Sequence, residues 1–128
     1  MALGRIELFD AEDLELREQA RRDVEAGAEI AARLVLDEVD YPCCGFAGRC
    51  EILAALDALD LSSVRERPSR AAERLAALAL ARSEMEIGFA GIVSQERVDP
   101  SFFLGASGVG WAFLRVSGVS LPQVLSFR

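Results

Sequence analysis

The sequence predicts an all-α protein built from helical hairpins, arranged as an α/α solenoid or a closed α/α toroid. Apolar residues recur three to four positions apart along much of the chain, which is the spacing of one helix face. The glycines Gly45 and Gly48 return sixty positions later as Gly105 and Gly108, each time at the start of an apolar run. A repeat of this length with two helices per unit is typical of folds whose units bury their apolar faces against each other.

Length and composition limit the possible classes of protein. The 128 residues correspond to one domain or to a piece of a larger one, and 52% hydrophobic residues are ample for a core. The net charge is −7 and no basic run is evident, so we expect no nucleic-acid partner. No apolar stretch is long enough for a membrane span, and the first residues lack the apolar core of a signal peptide. Three cysteines, two of them adjacent, favour a reduced cytoplasmic protein without a disulfide framework.

The first half of the chain contains two predicted helices. The first covers residues 11–37, and Asp40-Tyr41-Pro42 ends it because the residue before a proline is disfavoured in the α region. The second covers residues 45–59, and small residues in its first turn let other backbone approach closely. The predicted apolar positions of the first helix are Val24, Ala28, Ala31, Leu34 and Val35, and those of the second are Ile52, Leu53, Leu56 and Leu59. The glutamates of residues 12–38 are expected to form a solvated face.

The second half repeats this order. A third helix should start near Pro68, since proline suits the first helical turn, and should pack an alanine-rich face closely. Residues 83–104 are less regular, and residues 87–93 could form a short extended segment. A fourth helix is predicted over residues 108–116, with Gly118 at its end and Pro122 beyond. The apolar tail, residues 121–127, is expected to fold back onto the body.

The cysteine pair Cys43-Cys44, at the predicted start of the second helix, is the strongest candidate for chemistry. Helix N-termini present unpaired N–H groups and the positive end of the helix dipole, which stabilise thiolates. Zinc prefers thiolate ligands, so the pair could bind a metal, although adjacent ligands are rarer than a Cys-x-x-Cys spacing. The alternatives are two small buried thiols or a reactive redox thiol. Cys50 lies inside the same helix and is expected to be a core residue.

Other candidate sites are weaker. The chain has no histidine, which excludes Ser-His-Asp and Cys-His catalysis from its own residues. The segment Gly105-Ala-Ser-Gly108-Val-Gly110 looks like a phosphate loop but lacks the preceding strand of such loops, so we interpret it as a close-packing turn. Trp111 and Phe113 are expected in the core. Asp99 could face a ligand, but a turn-capping role is favoured.

Two segments of the chain resemble the lanthionine synthetase C-like family. Pro42-Cys-Cys-Gly-Phe-Ala-Gly-Arg-Cys-Glu-Ile-Leu-Ala-Ala-Leu56 resembles its Cys-His-Gly-x-x-Gly segment. Phe103-Leu-Gly-Ala-Ser-Gly-Val-Gly-Trp-Ala-Phe-Leu-Arg115, followed by Leu121-Pro-Gln-Val-Leu125, resembles the closing segment of the cyclase domain in class II lanthipeptide synthetases. The order and spacing of these segments agree across nearly the whole chain.

The resemblance implies a fold and a metal. The family fold is an α/α toroid of seven inner and seven outer helices, so the chain would be a partial α/α toroid: its last two helical-hairpin repeats, with residues 2–8 as the tail of an earlier inner helix. Family members hold one zinc ion (Zn²⁺) at the centre of the toroid. Cys43 matches the cysteine of the family's Cys-His ligand pair, and Cys44 stands where most members have histidine. Some class II synthetases have cysteine there as well and form an all-cysteine site.

The resemblance also implies a reaction and its partners. The family adds cysteine thiols of a dehydrated precursor peptide to dehydroalanine or dehydrobutyrine, forming lanthionine or methyllanthionine thioether rings. The family's third zinc ligand, in a Trp-Cys segment, and its proposed proton-donating histidine are not in this sequence. We therefore expect the chain to need an upstream part of the synthetase, or a partner chain, for activity. The alternatives are a non-catalytic α-helical interaction module, a degenerate cyclase remnant and a standalone thiol-redox protein.

Overall fold

The protein is all-α, apart from one short β-ribbon in the part that the structure describes. The computed structural model describes residues 6–10, 12–36, 38–40, 42–57, 59, 65–86, 88–91, 93–94 and 97–122. In order these form a 3-10 helix at Ile6–Asp10, helices α1 (Leu14–Ala31), α2 (Phe46–Leu56) and α3 (Pro68–Glu86), strands β1 (Val93–Ser94) and β2 (Arg97–Val98), and helix α4 (Ala106–Val116). None of the helices formed by these residues is both long and apolar enough to cross a membrane.

Helix α1 is shorter than predicted. Asp13 caps its N-terminus by accepting hydrogen bonds from the N–H groups of Glu15 and Leu16, at 2.9 and 3.2 Å. The helix continues through Gly27 and ends at Ala31, whereas the sequence predicted an end near residue 37. Consequently Leu34 and Val35, predicted as buried, lie beyond the helix and are exposed. The first three predicted apolar positions are buried: Val24, Ala28 and Ala31.

The exposed face of α1 carries charge, as predicted. Arg21 and Glu25 lie 3.3 Å apart, and Arg22 and Glu18 lie 3.9 Å apart, each pair separated by one helical turn. Such exposed pairs each contribute at most about 0.5 kcal/mol. The charged face therefore contributes little to the stability of the fold. The apolar face on the opposite side packs α1 against the rest of the protein.

Helix α2 is the centre of the molecule and packs against α1, α3 and α4. Nearly every side of it is buried, which explains why its apolar residues form a band rather than a narrow stripe. Phe46, Leu53 and Leu56 are fully buried, while Ile52 and Leu59 are only partly buried. The predicted alanine-rich face of α3 packs against α2 through Ala71, Ala72, Leu75 and Ala79.

The segment between α3 and α4 differs from the prediction. Of the extended segment expected at residues 87–93, residues 88–91 form no strand, and Val93 lies in β1, which pairs antiparallel with β2. Ile87 and Ile92 lie outside the described residues. Phe89 leaves this segment to join Phe46 and Phe113 in an aromatic cluster with ring centroids 5.5 to 6.1 Å apart. The cluster ties the irregular segment to the core.

Helix α4 starts two residues earlier than predicted and ends as expected. Gly118 has a φ of +88°, which an L side chain rarely adopts, and follows the last turn. Phe113 is half-buried in the aromatic cluster, and Trp111 is half-buried edge-on to Phe102, so both lie at the border of the core. Of the predicted tail, Leu121 accepts a hydrogen bond from Arg115, and residues 123–127 lie outside the described part. Of residues 2–8, the part from Ile6 onward is in the 3-10 helix.

The repeat predicted from the glycines has a matching geometry in both copies. A Cβ on Gly45 would lie 2.2 Å from the carbonyl oxygen of Val39, and a Cβ on Gly105 would lie 2.2 Å from that of Asp99, sixty positions later. Both glycines are the N-cap residues of their helices. In both turns a backbone carbonyl lies so close to the glycine Cα that a side chain would not fit. The two turns can therefore adopt the same conformation only with glycine at this position.

Candidate metal centre

Cys43 and Cys44 lie in the turn that leads into α2. The turn covers residues 42–45, and Gly45 caps the helix in an extended conformation without a side-chain hydrogen bond. Pro42 and Gly45 at its ends are buried, while both cysteines between them are exposed thiols. The turn thus presents two adjacent sulfur atoms at the N-terminus of the central helix, which contradicts the alternative of two buried thiols.

A buried carboxylate anchors the chain just before this turn. Asp40 is fully buried, and its carboxylate accepts hydrogen bonds from the guanidinium of Arg82 and from the N–H of Ala90, the latter at 2.6 Å. The backbone of Asp40 donates to the Ala90 carbonyl at 2.9 Å and accepts from the N–H of Ala47 at 3.2 Å. These bonds connect the residue at position 40, just before the turn, with α2, with the end of α3 and with the segment that follows α3.

Arg49 fixes the first part of the loop that connects α1 to the turn. Its guanidinium donates to the carbonyl oxygen of Ala31 at 3.0 Å and also to those of Arg33 and Val35. These carbonyls belong to the last residue of α1 and to the segment after it, where no further helical N–H groups are available. Arg49 therefore both ends α1 at Ala31 and holds the loop between α1 and α2 against α2.

The two glycine turns are in direct contact. The N–H of Cys43 donates to the carbonyl oxygen of Phe103, in the second turn, at 3.1 Å. The ring of Pro42 lies over Gly108, where a Cβ would approach the proline Cγ to 2.3 Å. The N-termini of α2 and α4 thus lie side by side, and the cysteine turn cannot shift without moving the second turn.

An ion pair between Glu51 of α2 and Arg115 of α4 joins the same two helices further along. The Arg115 Nε and the Glu51 Oε1 lie 3.1 Å apart, but neither atom makes a hydrogen bond with suitable geometry, so the contact is an ion pair only. Burial raises the pKa of Glu51, and the neighbouring Arg115 lowers it in part. Together with the contact between the turns, this pair shows that α2 and α4 run side by side in the same direction.

Cys50 is not part of the exposed thiol pair, as the sequence predicted. Its side chain is 1% exposed, and its thiol donates a weak hydrogen bond to the carbonyl oxygen of Ala72 in α3, at 3.7 Å. Burial raises the pKa of Cys50 to about 12, with a smaller opposing effect from Arg49. A thiol that stays protonated at neutral pH is a poor metal ligand and a poor nucleophile, so Cys50 acts as a core residue.

The donor set at the turn suits zinc but is incomplete. Two adjacent thiols at a helix N-terminus have the chemistry that zinc prefers. Among residues 6–122, apart from the undescribed gaps, no three Cys, Asp or Glu side chains come together in a way that could hold a metal ion. The residues present can therefore supply two ligands, and a structural or catalytic zinc site needs at least one more from protein.

The second turn carries no sulfur. Sixty positions after the cysteines stand Phe103 and Leu104, and both are about half exposed. Asp99 accepts a hydrogen bond from the Ser101 N–H at 2.8 Å, which is the turn-capping role that the sequence favoured. The Ser107 hydroxyl donates to the Pro100 carbonyl at 2.6 Å. This turn is built by close backbone packing, as predicted for its glycines.

Sequence reasoning found the thiol pair but missed the residues that position it. Asp40, Arg49 and Arg82 each act on a partner far along the chain, and the only sequence signal for them is a charged residue at an otherwise apolar helix position or next to a turn. Comparison of the chain with protein-family models, curated protein sequences and solved structures gives no match.

Proposed function

We propose that this chain is the C-terminal part of a lanthionine synthetase C-like cyclase domain and that Cys43 and Cys44 supply two thiolates to a zinc ion. In this proposal the third ligand comes from a Trp-Cys segment outside the chain. The substrate is a dehydrated precursor peptide, whose cysteine thiols add to dehydroalanine or dehydrobutyrine. The observation that carries the proposal is the exposure of both cysteines at the N-terminus of the central helix, in a turn of matching geometry to the second glycine turn.

The helix arrangement supports a partial α/α toroid. Helices α2 and α4 start at contacting turns of the same geometry and lie side by side, as inner helices of neighbouring repeats would. Helices α1 and α3 both pack on α2, which is the place of outer helices. The cysteine turn would then sit at the end of an inner helix.

The chain's own residues would position the metal ligands rather than carry out every step. When bound, zinc lowers the pKa of a coordinated peptide thiol and so supplies a nucleophile at neutral pH. Asp40 and Arg49 hold the chain that leads into the turn, and the Phe103 carbonyl accepts the N–H of Cys43, so the backbone that carries the two cysteines is fixed before metal arrives. Such preorganisation reduces the entropy that ligand binding would otherwise cost.

Zinc stoichiometry tests the proposal. The chain alone should bind zinc weakly, and addition of a polypeptide that carries the family's Trp-Cys segment should give tight binding of one ion. Cys43→Ser and Cys44→Ser should each abolish the tight binding, while the matched control Cys50→Ala should keep it, because Cys50 is buried away from the turn. Tight binding by the chain alone, or tight binding that survives both serine substitutions, would contradict the shared zinc site.

A non-catalytic interaction module remains the second candidate, because the surface of the chain has several exposed large apolar residues, among them Phe103, Leu104 and Leu114. If that function holds, Cys43→Ser and Cys44→Ser leave partner binding unchanged and no zinc is recruited. The zinc titration therefore separates the two functions.

A further inference from the structure

A large groove lies between the end of α1 and the start of α3, and its lining does not include the cysteine turn. Its volume is about 1340 Å³. Five arginines line it: Arg33, Arg65, Arg67, Arg70 and Arg74. Glu29 and Glu66 are its acidic residues, so five positive charges stand against two negative ones, a net of three positive charges. The whole chain has a net charge of −7, which makes this groove a local reversal of sign.

Among the residues that the structure describes, carboxylates engage two of the five arginines. Arg74 contacts Glu66 at 2.8 Å, and Arg67 lies 3.5 Å from Asp57. Arg33, Arg65 and Arg70 are exposed and have no carboxylate partner among the described residues. Three guanidinium groups along one groove can therefore still bind anions, and guanidinium groups bind carboxylates in a two-pronged geometry.

The groove also has an apolar part. Ala26, Ile30 and Ala32 contribute to its lining, and Ile30 is 58% exposed although it lies in the last turn of α1. The volume is larger than that of ordinary small-molecule pockets, which hold roughly 300–1,000 Å³. A single small anion would leave most of this space and all of the apolar lining without contacts.

We propose that this groove binds an acidic peptide segment in which carboxylate side chains alternate with apolar ones. The carboxylates pair with Arg33, Arg65 and Arg70, and the apolar side chains cover Ile30 and the neighbouring alanines. A nucleic acid fits less well, because Glu29 and Glu66 and the acidic remainder of the chain repel a continuous phosphate backbone. The proposal is independent of zinc and of the proposed cyclase function.

Fluorescence anisotropy with the full chain tests this site. The probe is a fluorescein-labelled peptide of alternating glutamate and leucine, long enough to span the groove, and a peptide with glutamine in place of glutamate is its control. The triple variant Arg33→Gln, Arg65→Gln and Arg70→Gln should weaken binding by roughly tenfold, since exposed ion pairs are individually weak and three are removed together. Binding should also weaken as salt is raised.

A charge-matched variant separates the groove from general electrostatics. Arg17→Gln, Arg22→Gln and Arg97→Gln change the net charge equally at exposed sites outside the groove, and they should leave the affinity within about twofold. Circular dichroism checks that each variant keeps its helices. The proposal is overturned if the glutamate peptide does not bind, if the glutamine peptide binds equally well, if both triple variants behave alike, or if only an oligonucleotide or inorganic polyphosphate binds.

Discussion

The carboxylate of Asp40 and the guanidinium of Arg82 form a buried ion pair between the loop before α2 and the last turns of α3. The two side chains are 1% and 15% exposed. Asp40 lies three residues before Cys43, and its carboxylate also accepts the Ala90 N–H. One carboxylate therefore fixes the approach to the cysteine turn, the end of α3 and the segment that leads to the β-ribbon.

Replacement of this carboxylate should destabilise the whole protein. Asp40→Asn removes the carboxylate charge opposite Arg82 in a largely buried place, and we expect the free energy of unfolding to fall by about 3 kcal/mol. Urea denaturation followed by circular dichroism measures it. The control Glu18→Gln removes an exposed pair and should change the stability by less than about 0.5 kcal/mol. Equal effects of the two substitutions would show that the Asp40 pair does not hold the fold.

The two glycines of α4, Gly108 and Gly110, should respond oppositely to alanine. A Cβ at Gly108 would lie 1.9 Å from the Phe102 carbonyl oxygen and 2.3 Å from Pro42 Cγ, so Gly108→Ala forces the two turns apart. Overpacking of this kind costs about 1–3 kcal/mol. At Gly110 a Cβ meets nothing within 4 Å, and Gly110→Ala should stabilise the helix by about 0.5–1 kcal/mol. Thermal unfolding of both variants measures the difference, and a melting temperature that does not fall in Gly108→Ala would contradict the close contact.

The three thiols should differ in reactivity. Cys43 and Cys44 are exposed, whereas Cys50 is 1% exposed and burial raises its pKa to about 12. Because the thiolate is the reactive form, iodoacetamide at neutral pH should modify two cysteines quickly and Cys50 only after unfolding. Peptide mass spectrometry over time identifies the modified residues. Fast modification of Cys50 in the folded protein would mean that α2 and α3 open at this position.

Glu51 should make stability depend on pH in the acidic range. Burial raises its pKa above the ordinary value of 4.5, so the folded protein keeps a proton that the unfolded chain has already lost. The free energy of unfolding therefore falls as the pH rises from 4.5 through the folded pKa, and this contribution is fully present below 4.5. Glu51→Gln should remove that part of the pH dependence in urea titrations at several pH values.

A control with an exposed glutamate checks the assignment to Glu51. Glu12→Gln changes the charge equally at an exposed position and should keep the wild-type slope between pH 4.5 and neutrality. If Glu51→Gln and the wild type show the same slope, the buried carboxyl is ionised equally in both states and Arg115 fully offsets its burial.

The helices could be predicted from the sequence because their apolar positions are local and periodic. Pro68 marked the start of α3, Gly118 marked the end of α4, and the glycine spacing identified the two turns. The end of α1 could not be predicted in the same way. The periodic pattern continues to Val35, but the guanidinium of Arg49 donates to the carbonyl oxygens of Ala31, Arg33 and Val35 and stabilises a non-helical path there.

The candidate site was predictable only in part. Adjacent cysteines before Gly45 are visible in the printed sequence, and the position of Cys50 inside an apolar run predicted its burial correctly. The arginine groove was missed because the overall charge is acidic and the five arginines come from the segment after α1, the segment before α3 and α3 itself. Charge that is distributed along the chain becomes a site only when the helices pack.

The amino-acid order alone determined an all-α chain, the two glycine turns and the place of the cysteine pair before the central helix, since these depend on residues that are neighbours along the chain. It left open whether the two thiols are buried, and the structure shows that both are exposed. Only the tertiary structure decided where α1 ends, which carboxylate anchors the cysteine turn and where the positive groove forms. Those outcomes depend on pairs such as Asp40 with Arg82, whose partners are brought together by burial of the surfaces between them. The spacing of residues along the chain does not indicate which distant charged side chain will bind a given helix end. That pairing is determined by how the helices pack.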